Sequence, residues 1–343
     1  MKAAARIGDT GTMVSTLVLG GTAWLGASIA QRAIEQGDDV WCLARGDSGT
    51  VPAGATWVEA DRRDPSAYEQ LGIRVFDRVV EVSWQPRVVA QAIEALGSRA
   101  GHWTYVSSVG VYASHDGPHD EAAPLRTPLD TAREATHEEY AAAKVACERL
   151  TVAGAQVKPL LVRAGLIAGP GDPTDRVGYW PARGAVAADG PLLVPEPTDS
   201  PTQSIDVRDL VDWMARACAA DVVGPVNAVG EKVSLGELID ASRRCARHQG
   251  ETVRVSAEWL HARDVRPWSG PRSLPWWTAG STRYPAIGRH DDTRFLETGG
   301  VRRPLADTLV DTLEDERARG LSRPRNAGLT REEELTLIAE PRA

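Results

Sequence analysis

Short, nearly all-apolar runs recur through the first half of the chain, at Ser15–Leu19, Asp39–Leu43, Thr56–Ala60, Arg78–Val82, His102–Ser107 and Val157–Arg163. Amphipathic stretches lie between them, among them Leu25–Gln36, Arg87–Leu96 and Glu138–Ala153. Strands that do not alternate apolar with polar residues are covered on both faces, and intervening helices supply the cover. The pattern predicts an α/β fold with a doubly wound parallel sheet. After Arg163 the rhythm breaks, and residues 169–201, rich in Gly, Pro and Asp, read as loop-dominated. A helix over Asp206–Ala219, a strand over Pro225–Val229 and a helix over Leu235–His248 follow. Ser234 and Glu237 stand in capping-box spacing before that last helix, as Thr330 and Glu333 do before a C-terminal one. These breaks divide the chain into residues 13–168 with 206–230, and a smaller C-terminal unit of 169–205 with 231–343. Met1–Thr12 lacks the continuous apolar core of a signal peptide and is expected to be a disordered extension.

The first strand runs into Gly20-Gly-Thr-Ala-Trp-Leu-Gly26 and then a helix. Gly20 suits a tight turn and Gly26 a close helix–strand approach, and the backbone N–H groups of Thr22, Ala23, Trp24 and Leu25 can face a diphosphate. Ala23 replaces a middle glycine at the cost of one methyl. An acidic residue at the end of the second strand would accept the adenosine ribose hydroxyls. Here that place holds Ala44, followed by Arg45, whose guanidinium suits a 2′-phosphate. NADP(H) is therefore expected over NAD(H), with Asp47 as a competing partner for the arginine.

Only four lysines and six tyrosines occur, yet one of each forms Tyr140-Ala-Ala-Ala-Lys144 in a stretch free of Gly and Pro. Four residues apart on a helix, phenol and ammonium share a face. A cation beside a phenol lowers its pKa, which makes a tyrosine usable as an acid/base near neutrality.

Upstream, Gly101–Tyr112 reads as an apolar strand ending in Ser107 and Ser108. Glycine turn, serine-ended strand and Tyr-x-x-x-Lys together resemble the short-chain dehydrogenase/reductase superfamily, in its extended and atypical branch of epimerase/dehydratase-like and isoflavone-reductase-like proteins. The resemblance spans roughly residues 15 to 240. It implies a Rossmann sheet with a C-terminal substrate-binding domain and a catalytic set of Ser108, Tyr140 and Lys144. Ser108 would bond the substrate oxygen, Tyr140 pass a proton, and Lys144 bond the nicotinamide ribose. Asp61 would meet the adenine edge, Arg62 add to the phosphate site, and Ser83, Ala164 and Leu166 lie along the cofactor. Ser107 would bond backbone, and Tyr112 would be a packing residue. Relatives acting on nucleotide sugars carry Asn where this chain has Leu166 and Arg where it has Thr202, so a nucleotide sugar is disfavoured. The resemblance implies alcohol–ketone interconversion on a small non-nucleotide molecule. The alternatives are an epimerase or dehydratase with tightly held cofactor, and a non-catalytic dinucleotide sensor or RNA-binding protein.

A net charge of −8 without a basic block gives no support for a nucleic-acid or anionic-membrane partner. No apolar stretch approaches the length of a membrane span. Cys42, Cys147, Cys218 and Cys245 are dispersed, which fits buried reduced thiols and a cytoplasmic setting. A homodimer is left open. His115 and His119 flank acidic residues on a loop, but nothing fixes their geometry and no metal site is expected. Tryptophans at 259, 268, 276 and 277 crowd a Pro- and Gly-studded segment. Tyr179, Trp180, Trp276 and Trp277 are candidate walls of the substrate site, with core packing as the competing role.

Overall fold

The computed structural model of the chain describes residues 13–114, 119–130, 133–279 and 288–340. Met1–Thr12 and His115 lie outside the described residues. The central sheet contains β1 (Ser15–Leu19), β2 (Asp39–Ala44), β3 (Thr56–Glu59), β4 (Phe76–Glu81), β5 (Ala100–Ser108) and β6 (Leu160–Ala164). A later strand, β10 (Gly224–Ala228), completes it in the order β10-β6-β5-β4-β1-β2-β3. Every pairing is parallel. The chain winds one way from β1 through β2 and β3 and the other way from β4 onward. The switch therefore falls between β1 and β4, and ligands of open α/β sheets bind outside the strand ends at such a switch.

The strands lack alternation because both faces are core. Val18, Cys42, Val80, Val106 and Val162 pack on one side with α1 (Trp24–Glu35) and α5 (Val207–Ala219). Leu17, Leu19, Leu43, Val79, Trp103 and Leu161 pack on the other, with α2 (Pro86–Leu96) and α3 (Tyr140–Gly154).

The remaining elements gather mainly around a third core. Its strands are β7 (Leu166–Ala168), β8 (Leu192–Pro195), β9 (Pro201–Asp206), β11 (Lys232–Ser234) and β12 (Thr252–Val255). Its helices include α4 (Tyr179–Ala187), α6 (Leu235–Ala246), α7 (Ala257–His261), α9 (Leu305–Arg319) and α10 (Arg331–Ala339), while α8 (Thr293–Glu297) packs Phe295 against the first sheet. Both expected capping boxes form, at Ser234/Glu237 and Thr330/Glu333. Within the loop-dominated stretch 169–201 the chain also forms α4 and β8. Pro181 sits in the first turn of α4, where its missing N–H costs no helical bond.

Candidate active site

The glycine turn is sterically committed. Gly20 has φ +104°, and a Cβ there would come 2.6 Å from Val82 Cγ2. A Cβ on Gly26 would lie 2.1 Å from the Gly20 carbonyl oxygen, so only glycine lets α1 approach the strand this closely. Ala23 precedes α1 without a side-chain cap, so the first-turn amides face the turn with no side chain of their own on them. Leu25 packs partly into the core, while the Trp24 indole N–H donates to the Pro170 carbonyl at 2.9 Å. A cavity of about 380 Å³ opens beside this turn, lined by Gly20, Thr22 and Ala23, by Ala44 and Arg45 after β2, by Asp61 and Arg62, and by Ser83 and Trp84 after β4. An uncapped helix start, a cradle that a Cβ would fill, and a cavity running past the ends of β2 and β4 fit a nicotinamide dinucleotide.

The adenosine rim differs from expectation. Arg45 lies 3.3 Å from Asp47 and 3.9 Å from Asp61. The Arg63 hydrogen bond holds Asp61 ionised, pulling its pKa down to about 2. Arg62 is paired at 2.6 Å with the fully buried Glu81. Both arginines expected to attract a 2′-phosphate are already matched by carboxylates, so the preference for NADP(H) finds no support in the rim.

At the ends of β5 and β6 the residues of the expected catalytic set come together. Ser108 Oγ accepts from Gly110 N at 3.1 Å and stands close enough to the Tyr140 hydroxyl to pull its pKa down. Tyr140 opens α3, and the capping box of Thr136 and Glu139 just before it sets the helix start. Lys144 follows on the same face, with its Nζ donating to Val106 O at 2.6 Å and Ser83 O at 3.2 Å. That ammonium is 5.9 Å from the centre of the Tyr140 ring and 4.8 Å from that of Tyr105. Burial pushes the Tyr140 phenol up, and the Ser108 hydroxyl and the Arg176 charge pull against it. Burial also lowers Lys144 to about 8. The expected depression of the phenol by its lysine is therefore not what the site shows: desolvation wins, because the ammonium is turned onto backbone carbonyls.

The other expected residues are placed as follows. Ala164 pairs in register with Ser108 at the end of β6, and Leu166 is buried at the start of β7. Thr202 is buried and donates to Val233 O at 3.0 Å, so it offers no clamp for a diphosphate. Ser107 Oγ is buried without the backbone bond expected of it. Tyr112 is fully buried between His119 and His290, its hydroxyl donating to Asn227 Oδ1 at 2.5 Å. Tyr179, Trp180, Trp276 and Trp277 require correction as substrate walls. None is more than 2% exposed, and all four fill the third core. An indole buries more apolar area than any other side chain here, and a small unit with short strands uses it as filling.

Two neighbours of Tyr140 escaped the sequence reading. The Trp84 ring lies 5.6 Å from that of Tyr140 and also lines the cavity; its position directly after Ser83 was the available signal. Arg176, whose charge reaches Tyr140, sits in the Gly/Pro/Asp tract, where no periodicity marks it.

Fold and site define an enzyme of the extended short-chain dehydrogenase/reductase class that uses a nicotinamide dinucleotide. The chain belongs to the NAD dependent epimerase/dehydratase family, whose model matches residues 16–230. No curated protein sequence matches it. Among solved structures it is similar to the Thermus thermophilus UDP-glucose 4-epimerase complex with NAD, at 17% identity and a TM-score of 0.63, over 90% of this chain and 100% of that one. It is also similar to the Bacillus cereus UDP-glucuronic acid 4-epimerase in complex with NAD (14%, TM-score 0.66, 89% and 99% covered). A third similar structure is the Bordetella bronchiseptica enzyme WbmG in complex with NAD (15%, TM-score 0.69, 93% and 98% covered). At these identities the likeness is one of fold. Among the described residues no helix is long and apolar enough to cross a membrane.

Proposed function

We propose that this protein interconverts a secondary alcohol and its ketone on a small, non-nucleotide molecule, using NAD(H). The observation carrying this reading is Ser108 at the end of β5 facing the start of α3, where Tyr140 and Lys144 share a face and Lys144 reaches Ser83 at the wall of the dinucleotide cavity. When bound, the nicotinamide supplies or accepts the hydride. Tyr140 gives a proton to the substrate oxygen or takes one from it, and Ser108 holds that oxygen against the phenol. Lys144 stands where a ribose hydroxyl could replace one of its two carbonyl partners. Leu166 and Thr202 leave the sugar-diphosphate clamp unbuilt, which supports a non-nucleotide substrate. NAD(H) is favoured over NADP(H) because Arg45, Asp47, Asp61, Arg63 and Glu134 form an ion-paired rim with one more carboxylate than guanidinium. A dianionic 2′-phosphate would meet that surplus.

Family membership favours a second outcome of the same chemistry, in which the ketone is re-reduced on its other face before release and the product is an epimer. Purified protein carrying nicotinamide that is not exchanged during turnover would mark that outcome. The shared site is tested with Tyr140→Phe on a substrate found by screening alcohols and ketones against NADH absorbance. Turnover should fall by about 10² to 10⁴, the usual share of a general acid/base, with cofactor binding retained. A Tyr140→Phe protein that keeps most of its activity would remove the reading.

A further inference from the structure

We propose that Trp84 sets the redox poise of the bound cofactor, its indole holding the oxidised nicotinamide in preference to the reduced one. This rests on the reading of the cavity beside the glycine turn as a nicotinamide dinucleotide site.

The exit of β4 is tied down on both sides of this residue. Glu81 accepts the Ser83 backbone N–H at 2.7 Å, and the Ser83 carbonyl accepts from the Tyr105 hydroxyl at 3.1 Å and from Lys144 Nζ at 3.2 Å. The Gln85 side chain grips the backbone of Ala135 twice, accepting its N–H at 2.8 Å and donating to its carbonyl at 3.0 Å. Trp84 stands between these two anchored residues. Its partly buried ring lies 5.4 Å from that of His137 at a 31° tilt, and 5.6 Å from that of Tyr140 at 54°. Between those two rings it still contributes to the lining of the cavity. A flanked ring on a fixed backbone has little conformational freedom left to lose when a ligand arrives.

The order of the cavity wall decides which end of a dinucleotide meets the indole. Arg45 and Asp61 mark the adenosine rim, and Gly20 and Ala23 mark the diphosphate turn. The nicotinamide end is left with the wall after β4, where Trp84 also packs on Tyr140. Among the described residues that line the cavity, Trp84 alone is aromatic. The pyridinium of NAD⁺ is a flat cation, whereas the dihydropyridine of NADH is flat and neutral. Both gain from apolar contact with an indole, but only the cation gains from the negative face of its π-system, and tryptophan is the strongest side chain in this role. Lys144, its ammonium turned onto the Val106 and Ser83 carbonyls, opposes a pyridinium equally whatever stands at position 84, so the share of the indole is read as a difference. A tighter hold on NAD⁺ than on NADH shifts the bound cofactor toward its oxidised form. That is the form in which the alcohol-oxidising half of a cycle begins.

Isothermal titration of NAD⁺, NADH and ADP-ribose into the full chain, as wild type, Trp84→Phe and Trp84→Leu, tests this. Trp84→Leu should weaken NAD⁺ about 2- to 30-fold more than NADH, the span of a cation–π contact from exposed to desolvated settings. Trp84→Phe, with a poorer π-face, should fall between, and it carries the test if the leucine variant does not fold. ADP-ribose lacks the nicotinamide and should bind all three proteins alike. With NAD⁺ bound, the wild type should also show a long-wavelength indole–pyridinium charge-transfer absorbance that Trp84→Leu lacks. Equal losses for NAD⁺ and NADH, or no loss of either, would overturn the proposal. ADP-ribose weakened as much as NAD⁺ would overturn it too, by putting the indole on the adenosine half. A wild type that binds neither ADP-ribose nor NAD⁺ would sink the dinucleotide reading itself. ADP-ribose and NAD⁺ both bound, with the NAD⁺ to NADH ratio unmoved by either substitution, would sink the Trp84 proposal alone.

Discussion

Burial of Lys144 has a consequence for stability that can be read directly. Its pKa falls from 10.5 to about 8, chiefly through desolvation. At 1.36 kcal/mol per pKa unit, that difference penalises the charged form in the folded cofactor-free protein by about 3 kcal/mol. Between pH 8 and 10.5 the unfolded chain holds a proton at this lysine that the folded chain has lost. Stability from this group therefore rises with pH across that window, and below pH 8 the full penalty applies. Lys144→Met keeps the stem and removes the titration, though it also gives up the bonds to Val106 and Ser83. Those lost bonds add an offset, but a nearly pH-independent one. Urea unfolding of both proteins without cofactor, at pH 7, 8, 9 and 10, isolates the titration as a difference between two curves. The wild type should gain on Lys144→Met by roughly 2.5 kcal/mol from pH 7 to pH 10, because every other group cancels. Parallel curves would show that Lys144 titrates as an exposed lysine does, and the desolvated site would be refuted.

The buried pair of Glu148 and Arg163, joined at 3.0 and 2.9 Å, should be intolerant of half-removal. Glu148→Leu should cost about 3–5 kcal/mol in urea unfolding by stranding the guanidinium. The rim should set cofactor choice: wild type should bind NADH at least as tightly as NADPH by fluorescence titration, and Asp61→Asn should improve NADPH binding by about tenfold, or 1.4 kcal/mol. A wild-type preference for NADPH would reverse that assignment.

The sheet was legible because its strands bury both faces, which leaves apolar runs such as Leu17–Leu19 that admit little else. The placing of Tyr140 and Lys144 on one helix was legible because rare residues stand there at helical spacing. What failed to show had physical causes. Helix α9 was not anticipated because its inward face mixes Leu309 and Leu313 with buried Thr308, Thr312 and Glu316, which blurs the 3.6-residue period. Arg45 was visible as a cation, but Asp61, which helps neutralise it, is brought in only by the pairing of β2 with β3. Trp276 and Trp277 carry the same composition signal whether they wall a cleft or fill a core, and burial alone separates the two.

The bond from Trp24 to Pro170 joins the turn that would wrap the diphosphate to the segment that enters the second unit. Gly171 beside it, at φ +81°, adopts a backbone that favours glycine, and a Cβ there would crowd the indole nitrogen at 3.0 Å. Loss of that bond alone would cost about 1 kcal/mol, or roughly a fivefold change in population. A tie of that size is too weak to hold a bound molecule by itself. Long residence of the dinucleotide, which an epimerising cycle demands, would have to come from the grip of the turn and rim on the cofactor itself.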